Sequence, residues 1–272
     1  MDLERLRRRL VYQIPAMGTA QVHRELVYRH DTAAALQMDI YRPPQPSVTA
    51  RLPVICFVHG GPIKADLPLA PKAWGVYTDY GELAAASGFV GVTFNHRYYG
   101  FDQLAIAADD IAAAIAYVRA QADVYQIDPE RICIWAFSGG GPFLSPLLRT
   151  PPSYVRCLVA YYALLDLLPL IPHLADVVSA ATLREFSPLD ALQQGHATDL
   201  PLLIARAGQD RVEMNETIDA FVQAALTANV PLDLMNHPQG QHAFDILDND
   251  RRSHAIIQHT IAFIHQHLVT AR

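Results

Sequence analysis

The segment RICIWAFSGGGPF, at residues 131–143, places Ser138 between a predicted strand and a predicted helix. The apolar run at 132–135 is typical of a parallel strand that is buried on both faces. Ala136 and Gly140 lie two positions before and after the serine, and only small side chains fit at the flanks of so tight a turn. A serine in such a turn takes a strained backbone conformation, and its hydroxyl projects clear of the sheet. The segment therefore predicts a sheet with Ser138 exposed at its edge, as a candidate nucleophile.

Strands and helices alternate along the rest of the chain. Apolar runs predict strands at 22–29, 36–42, 53–58, 89–94, 155–160, 201–207 and 231–235, and helical patterns fall at 80–87, 104–122, 216–228 and 252–268. We therefore predict an α/β fold in which a mostly parallel central sheet is covered by helices on both faces. Residues 1–272 are predicted to form a single domain, with a small cap-like insertion at about 162–198, where leucine- and proline-rich sequence interrupts the alternation.

Two further candidate catalytic residues follow Ser138 along the chain. Asp210 comes after the strand at 201–207, and His242 lies in the loop after the last predicted strand. Since ligands of a parallel sheet bind at the carboxyl ends of its strands, we expect the three side chains to meet at one edge. Ser138 is then the nucleophile, His242 the base, and Asp210 the group that orients the histidine.

A glycine loop upstream supplies candidate donors for an oxyanion. The strand at 53–58 runs directly into His59, Gly60 and Gly61. Glycines let the backbone approach a substrate closely, so we expect an amide of Gly60 or Gly61 to join the amide of Gly139 in binding the oxyanion. We expect His59 to position this loop and not to act as a base.

Composition and charge exclude several other classes of protein. A net charge of −6 and a sequence pI near 6.0 disfavour nucleic acid as a partner. The cysteines at 56, 133 and 157 lie in apolar runs without metal-binding spacing, so we predict buried free thiols, no metal site and a cytoplasmic location. The longest apolar stretch, at 158–171, is shorter than the roughly 20 residues that a membrane-spanning helix needs.

Together these motifs resemble the alpha/beta-hydrolase superfamily, in particular its esterase/lipase branch with hormone-sensitive-lipase-like and feruloyl-esterase-like carboxylesterases. The matching pieces, in the family's order, are HGG at 59–61, IDPERI at 127–132, AFSGG at 136–140, GQD at 208–210 and GQHAF at 240–244. The resemblance implies a serine hydrolase that cleaves small-molecule carboxylic esters through an acyl-enzyme intermediate and needs no cofactor. Two departures are Ala136, where the family's serine motif usually begins with glycine, and Pro62, where many of these esterases have a third glycine.

Two alternative functions stay open at this level. The His-Gly-Gly-Pro form at 59–62 also occurs in prolyl-oligopeptidase-like serine peptidases, so an exo-peptidase or amidase is the second hypothesis. A catalytically inactive binding protein on the same fold is the third. The sequence leaves open the natural substrate. It also leaves open the oligomeric state, for which a homodimer is one possibility.

Several other residues have two interpretations each. Asp245 follows His242 too closely to serve comfortably as the acid of the catalytic triad. The leucines at 164, 165, 167, 168 and 170 are consistent with core packing or with the lining of an acyl pocket. Four histidines near the C-terminus lack the helical spacing at which side chains converge on a metal, namely His254, His259, His265 and His267.

Overall fold

The computed structural model describes residues 3–30, 35–44, 51–196 and 199–270, and in these ranges eight strands form one mixed sheet. The strands are β1 (Gln21–Arg29), β2 (Leu36–Arg42), β3 (Leu52–Val58), β4 (Val90–Phe94), β5 (Ile127–Phe137), β6 (Val155–Tyr161), β7 (Leu202–Ala207) and β8 (Leu232–His237). Their order in the sheet is β1-β2-β4-β3-β5-β6-β7-β8. Strands β1 and β2 are antiparallel to their neighbours, and β3 to β8 run parallel. The predicted mostly parallel sheet is confirmed.

Helices cover both faces of this sheet, as predicted. They are α1 (Leu3–Leu6), α2 (Gly75–Ala86), α3 (Leu104–Ala120), α4 (Ala122–Tyr125), α5 (Ser145–Arg149), α6 (Ile171–Leu174), α7 (Ala180–Glu185), α8 (Pro188–Gln193), α9 (Val212–Thr227), α10 (Phe244–Leu247) and α11 (Arg251–His265). Val54 and Cys56 of β3 belong to the apolar core beneath α3 and α9, whereas Ile55 and Phe57 belong to the core beneath α2 and α11. Because successive strand residues point to opposite faces, the continuous apolar run of β3 requires helices on both sides. Among the helices of the described ranges, none has the length and apolar character that crossing a bilayer requires.

Helix α2 begins at Gly75, before the predicted start at residue 80. A Cβ atom at Gly75 would lie 2.4 Å from the carbonyl oxygen of Arg8, so the N-terminal segment packs directly against the first turn of this helix. Glycine has a low intrinsic helix propensity, and here a tertiary contact outweighs that preference. The local pattern therefore placed the start of the helix too late.

The region predicted as a cap consists of short helices that share the main apolar core. Helices α6, α7 and α8 lie within it, and its last two residues, 197 and 198, fall outside the described ranges. Leu183, Leu189 and Leu192 are buried in the core beneath α3 and α9. Ser187 accepts a hydrogen bond from the Asp190 amide and so caps the start of α8. The assignment of the whole chain to one domain stays a prediction.

The three cysteines are buried and unpaired, as the sequence predicted. Burial raises the pKa of the Cys56 thiol to about 12, because a thiolate would lose its hydration inside the sheet. A protonated and enclosed thiol is a poor nucleophile, which leaves Ser138 as the candidate.

Candidate active site

Ser138 occupies a strained turn at the carboxyl end of β5. The strand ends at Phe137, a 3₁₀ helix begins at Ser138, and the serine has a φ of 52°, in the left-handed region that side chains with a Cβ atom rarely adopt. A Cβ atom at Gly139 would lie 1.8 Å from the carbonyl oxygen of Gly61, and one at Gly140 would lie 2.9 Å from that of Val58. The turn therefore closes only with glycine at both positions after the serine.

The structure brings the three predicted catalytic side chains into one chain of hydrogen bonds. The Oγ atom of Ser138 is 2.9 Å from Nε2 of His242, and Nδ1 of that histidine is 2.6 Å from Oδ2 of Asp210. The Asp210 side chain is fully buried, and its other carboxylate oxygen accepts the Arg211 amide at 2.7 Å. When Nδ1 donates to the carboxylate, Nε2 is free to accept the serine proton. The loops that follow β5, β7 and β8 supply one side chain each.

The glycine loop after β3 lies against the serine turn. The Gly60 amide donates to the hydroxyl of Tyr77 at 3.3 Å, so this amide is already engaged within the protein. Within the part of the chain that the structure describes, the Gly61 amide has no protein acceptor. Gly139 is the second residue of the 3₁₀ helix, where the first amides have no partner within the helix. Of the two upstream glycines, Gly61 is therefore the better candidate donor to an oxyanion.

His59 contacts the glycine loop and holds it in place. Its ring stacks on that of His96, with the centroids 3.6 Å apart and the planes at 10°, and its Nδ1 donates to the Gly60 carbonyl at 2.8 Å. Burial lowers the pKa of His59 to about 4 and lowers the pKa of His96 well below its usual range. Both rings are therefore neutral near pH 7, and the contacts of His59 are those of a positioning residue, as expected.

Asp245 belongs to a buried network behind His242 and takes no part in the triad. Its carboxyl group accepts hydrogen bonds from the hydroxyl groups of Tyr80 at 2.7 Å and Tyr162 at 2.8 Å. Burial raises the pKa of this carboxyl group. The Tyr162 ring lies 4.8 Å from the His242 ring, centroid to centroid, and Tyr162 itself has a φ of 38°. The network thus supports the face of His242 that is turned into the protein.

Sequence reasoning missed Tyr77 and Tyr162. Tyr162 follows β6 directly and so carries the same signal as Ser138 and Asp210, a polar side chain at the carboxyl end of a parallel strand. Tyr77 lies inside α2, and its place in the helix gives no sign that its hydroxyl meets the Gly60 amide.

The histidines near the C-terminus do not converge. His254 is hydrogen-bonded to Asn249, and His259 to Asp233, at separate places on the surface. Within the described ranges, no three His, Cys, Asp or Glu side chains are grouped as a metal site would need.

Two cavities meet at Ser138 and share Gly61 and Pro62 in their walls. The first, of about 210 Å³, includes His242, whereas the second, of about 670 Å³, includes Gly139. A substrate bound at Ser138 therefore has space on both sides of the reacting atom.

Both cavities have mostly apolar walls. The first contains Arg5 among aromatic and aliphatic residues, namely Leu6, Ile63, Trp74, Val76, Ile246 and Leu247. The second combines apolar residues with charged ones, namely Phe101, Leu164, Leu170, Met214, Asp166, Arg211, Glu213 and Glu216. Of the five leucines left open by the sequence, Leu165 and Leu167 are buried in the core and Leu164 and Leu170 line the second cavity. Leu168 is half-buried and belongs to neither group.

Comparisons with known proteins found one family model, two curated relatives and several solved structures that are similar to this chain. The BD-FAE family model matches residues 38–149. The probable carboxylic ester hydrolase LipM of Mycobacterium tuberculosis (strain ATCC 25618 / H37Rv) is 26% identical over 255 residues, covering 82% of this chain and 56% of that protein. The para-nitrobenzyl esterase of Bacillus subtilis (strain 168) is 29% identical over 129 residues, covering 43% of this chain and 25% of that protein. The chain thus spans little more than half, or less, of the curated relatives it matches.

Solved structures of a thermophilic esterase from Thermogutta terrifontis have the same fold. The native form matches with a TM-score of 0.74 at 20% identity, covering 93% of this chain and 94% of that one. The propionate-bound form matches with a TM-score of 0.71 at 22% identity, covering 94% and 96%. These solved structures show that the chain shares their fold, while the family match and the curated relatives show what parts of its sequence are similar to.

Proposed function

We propose that the protein is a serine hydrolase that cleaves carboxylic esters of small molecules through an acyl-enzyme intermediate. The observation that carries the proposal is the continuous chain of hydrogen bonds from Ser138 through His242 to Asp210. Its position between two cavities, beside the amides of Gly61 and Gly139, supports the same function. The names of the curated relatives support an ester as the substrate.

In the first half of the reaction, the Oγ atom of Ser138 forms a bond to the ester carbonyl carbon. Its proton passes to Nε2 of His242, and the buried carboxylate of Asp210 stabilises the resulting imidazolium. The negative charge that develops on the carbonyl oxygen is accepted by the amides of Gly61 and Gly139. Each donor of this kind lowers the barrier by about 3 kcal/mol.

The first half ends when the bond to the leaving oxygen breaks and His242 delivers its proton to the departing alcohol. In the second half, a water molecule attacks the acyl-enzyme while His242 takes up a proton from it. Collapse of the second tetrahedral intermediate releases the carboxylic acid and returns the proton to Ser138. The histidine thus acts as base and acid in turn.

The test is the hydrolysis of phenyl acetate by the wild-type protein and by Ser138→Ala. We expect kcat to fall by at least about three orders of magnitude, because the nucleophile is lost while the fold is retained. Ser145→Ala is the matched control, since Ser145 begins α5 directly after the 3₁₀ helix that starts at Ser138, and its hydroxyl donates to the Glu185 carbonyl at 2.6 Å. Wild-type turnover in the Ser138→Ala variant would contradict the proposal.

Covalent labelling and a substrate panel separate this function from its rivals. The Thermogutta esterase has been solved phosphorylated by paraoxon, so we expect paraoxon to add one diethyl phosphate group to this protein at Ser138. The Ser145→Ala variant should label normally. Absence of paraoxon labelling in the wild-type protein would favour a catalytically inactive binding protein. Faster cleavage of aminoacyl anilides than of acetyl, propionyl and butyryl esters would favour a peptidase.

A further inference from the structure

The N-terminal segment forms one wall of the first cavity beside Ser138. Leu6, the last residue of α1, is 2% exposed and lines this cavity together with Arg5. The opposite walls come from the glycine loop, the start of α2 and the residues just after His242. A side chain far from the catalytic residues in sequence thus bounds the space next to them.

Buried hydrogen bonds hold this wall in place. The carboxylate of Asp79 on α2 accepts the Leu10 amide at 2.9 Å and Nε of Arg9 at 2.7 Å, and its side chain is fully buried. The Val11 amide donates to the Asp245 carbonyl at 2.8 Å, three residues after His242. The segment is therefore fastened both to α2 and to α10, the helix that follows the catalytic histidine, so Leu6 presents a fixed surface to the cavity.

The position of His242 shows which part of an ester enters the first cavity. His242 lines the first cavity and not the second, whereas Gly139 lines the second and not the first. The histidine must protonate the leaving oxygen, which requires that oxygen to come within hydrogen-bond distance of Nε2. The leaving group therefore extends on the His242 side of Ser138, and the acyl group extends on the other side.

We propose that the first cavity is a leaving-group site for apolar alcohols or phenols, and that Leu6 sets the size of the group it takes. The inference rests on the proposed ester hydrolysis. The wall favours this ligand class, because its side chains are aliphatic or aromatic apart from those of Arg5, Ser138 and His242. A leaving group with several hydroxyls would lose hydrogen bonds to water on entering this cavity, and the apolar side chains of the wall would not replace them.

The experiment compares kcat/KM for 2-naphthyl acetate and phenyl acetate, which differ in the size of the leaving group. Leu6→Ala enlarges the cavity, so we expect the naphthyl-to-phenyl ratio to rise by at least about tenfold, the effect of one or two methylene groups in an apolar pocket. Leu6→Phe narrows the cavity and should lower the ratio. Leu3→Ala is the matched control, because Leu3 lies on the same helix, is 36% exposed and is not part of the wall.

A second series varies the acyl group, with phenyl acetate and phenyl hexanoate. Leu6→Ala should leave the hexanoate-to-acetate ratio unchanged within about twofold. A change in this ratio with an unchanged naphthyl-to-phenyl ratio would show that Leu6 borders the acyl group, and equal effects of Leu6→Ala and Leu3→Ala would remove Leu6 from the site. Either result overturns the inference and leaves ester hydrolysis standing.

Two controls keep the test decisive. Thermal unfolding midpoints establish that each variant is folded, and if Leu6→Ala does not fold, the fall expected for Leu6→Phe decides the inference. Failure of the wild-type protein to hydrolyse any of these esters would instead refute the proposed function, and the inference with it.

Discussion

Replacement of His59 by asparagine should reduce the sensitivity of the protein to acid. His59 is fully buried, stacks on His96 and donates from Nδ1 to the Gly60 carbonyl. Asparagine places an amide nitrogen near the position of Nδ1, so it can keep that hydrogen bond while removing the titrating ring. The substitution therefore isolates the protonation of His59 from its role in shaping the loop.

The magnitude follows from the shift in pKa. Burial lowers the pKa of His59 from 6.5 to about 4. Below about pH 6.5 the unfolded chain binds a proton here and the folded protein does not, so the free energy of unfolding falls as the pH drops from about 6.5 toward about 4. Each pH unit in this window removes about 1.4 kcal/mol. Between about pH 7.5 and about pH 5, the loss due to His59 is therefore about 2 kcal/mol.

The assay is urea unfolding at these two pH values, followed by the fluorescence of Trp74 and Trp135. The quantity compared is the loss in the free energy of unfolding between the two pH values, because asparagine also removes the ring stack and lowers stability at both. We expect this loss to be about 2 kcal/mol smaller in His59→Asn than in the wild-type protein. His173→Asn is the control, since the His173 side chain is exposed and meets water in both states.

Equal losses in the wild-type protein and in His59→Asn would refute the reasoning. Such a result would mean that His59 is protonated in the folded protein at about pH 5 or that the ring is hydrated there. A loss that shrinks equally in His173→Asn would likewise show that burial is not the cause.

Two further predictions concern the geometry of the catalytic groups. Asp210→Asn should lower kcat for phenyl acetate by about four orders of magnitude, because the amide can hold His242 in the tautomer that cannot accept the serine proton; a fall of less than about tenfold would contradict this role. Tyr77→Phe removes the hydroxyl that accepts the Gly60 amide, so kcat should fall about threefold to tenfold with KM unchanged, the size of one neutral hydrogen bond. Steady-state kinetics measures both effects, and a change in KM alone would assign Tyr77 to substrate binding.

The catalytic candidates could be predicted because each carries a local signal. Ser138, Asp210 and His242 each follow a strand that the apolar pattern reveals, and the carboxyl ends of parallel strands share one edge. The hydrogen bonds among the three side chains are the geometry that this reasoning predicted. Their catalytic roles stay a proposal until the variants are measured.

Other parts of the site could not be predicted because they depend on contacts between distant segments. The sequence did not distinguish the amides of Gly60 and Gly61. The structure does, because the hydroxyl of Tyr77 on helix α2 accepts a hydrogen bond from the Gly60 amide. Leu6 has no pattern that marks it as a cavity wall, because its position depends on the bonds of the N-terminal segment to Asp79 and Asp245.

The sequence alone determined the mostly parallel sheet, the helices on both faces and the turn that exposes Ser138. These features follow from periodic apolar residues and from small residues beside the serine, which act within a few positions along the chain. The tertiary structure decided which amide is free, what supports His242 and how the space around Ser138 is divided. Those properties arise where separate segments meet, and the free energy of such contacts depends on distances that a local pattern does not contain.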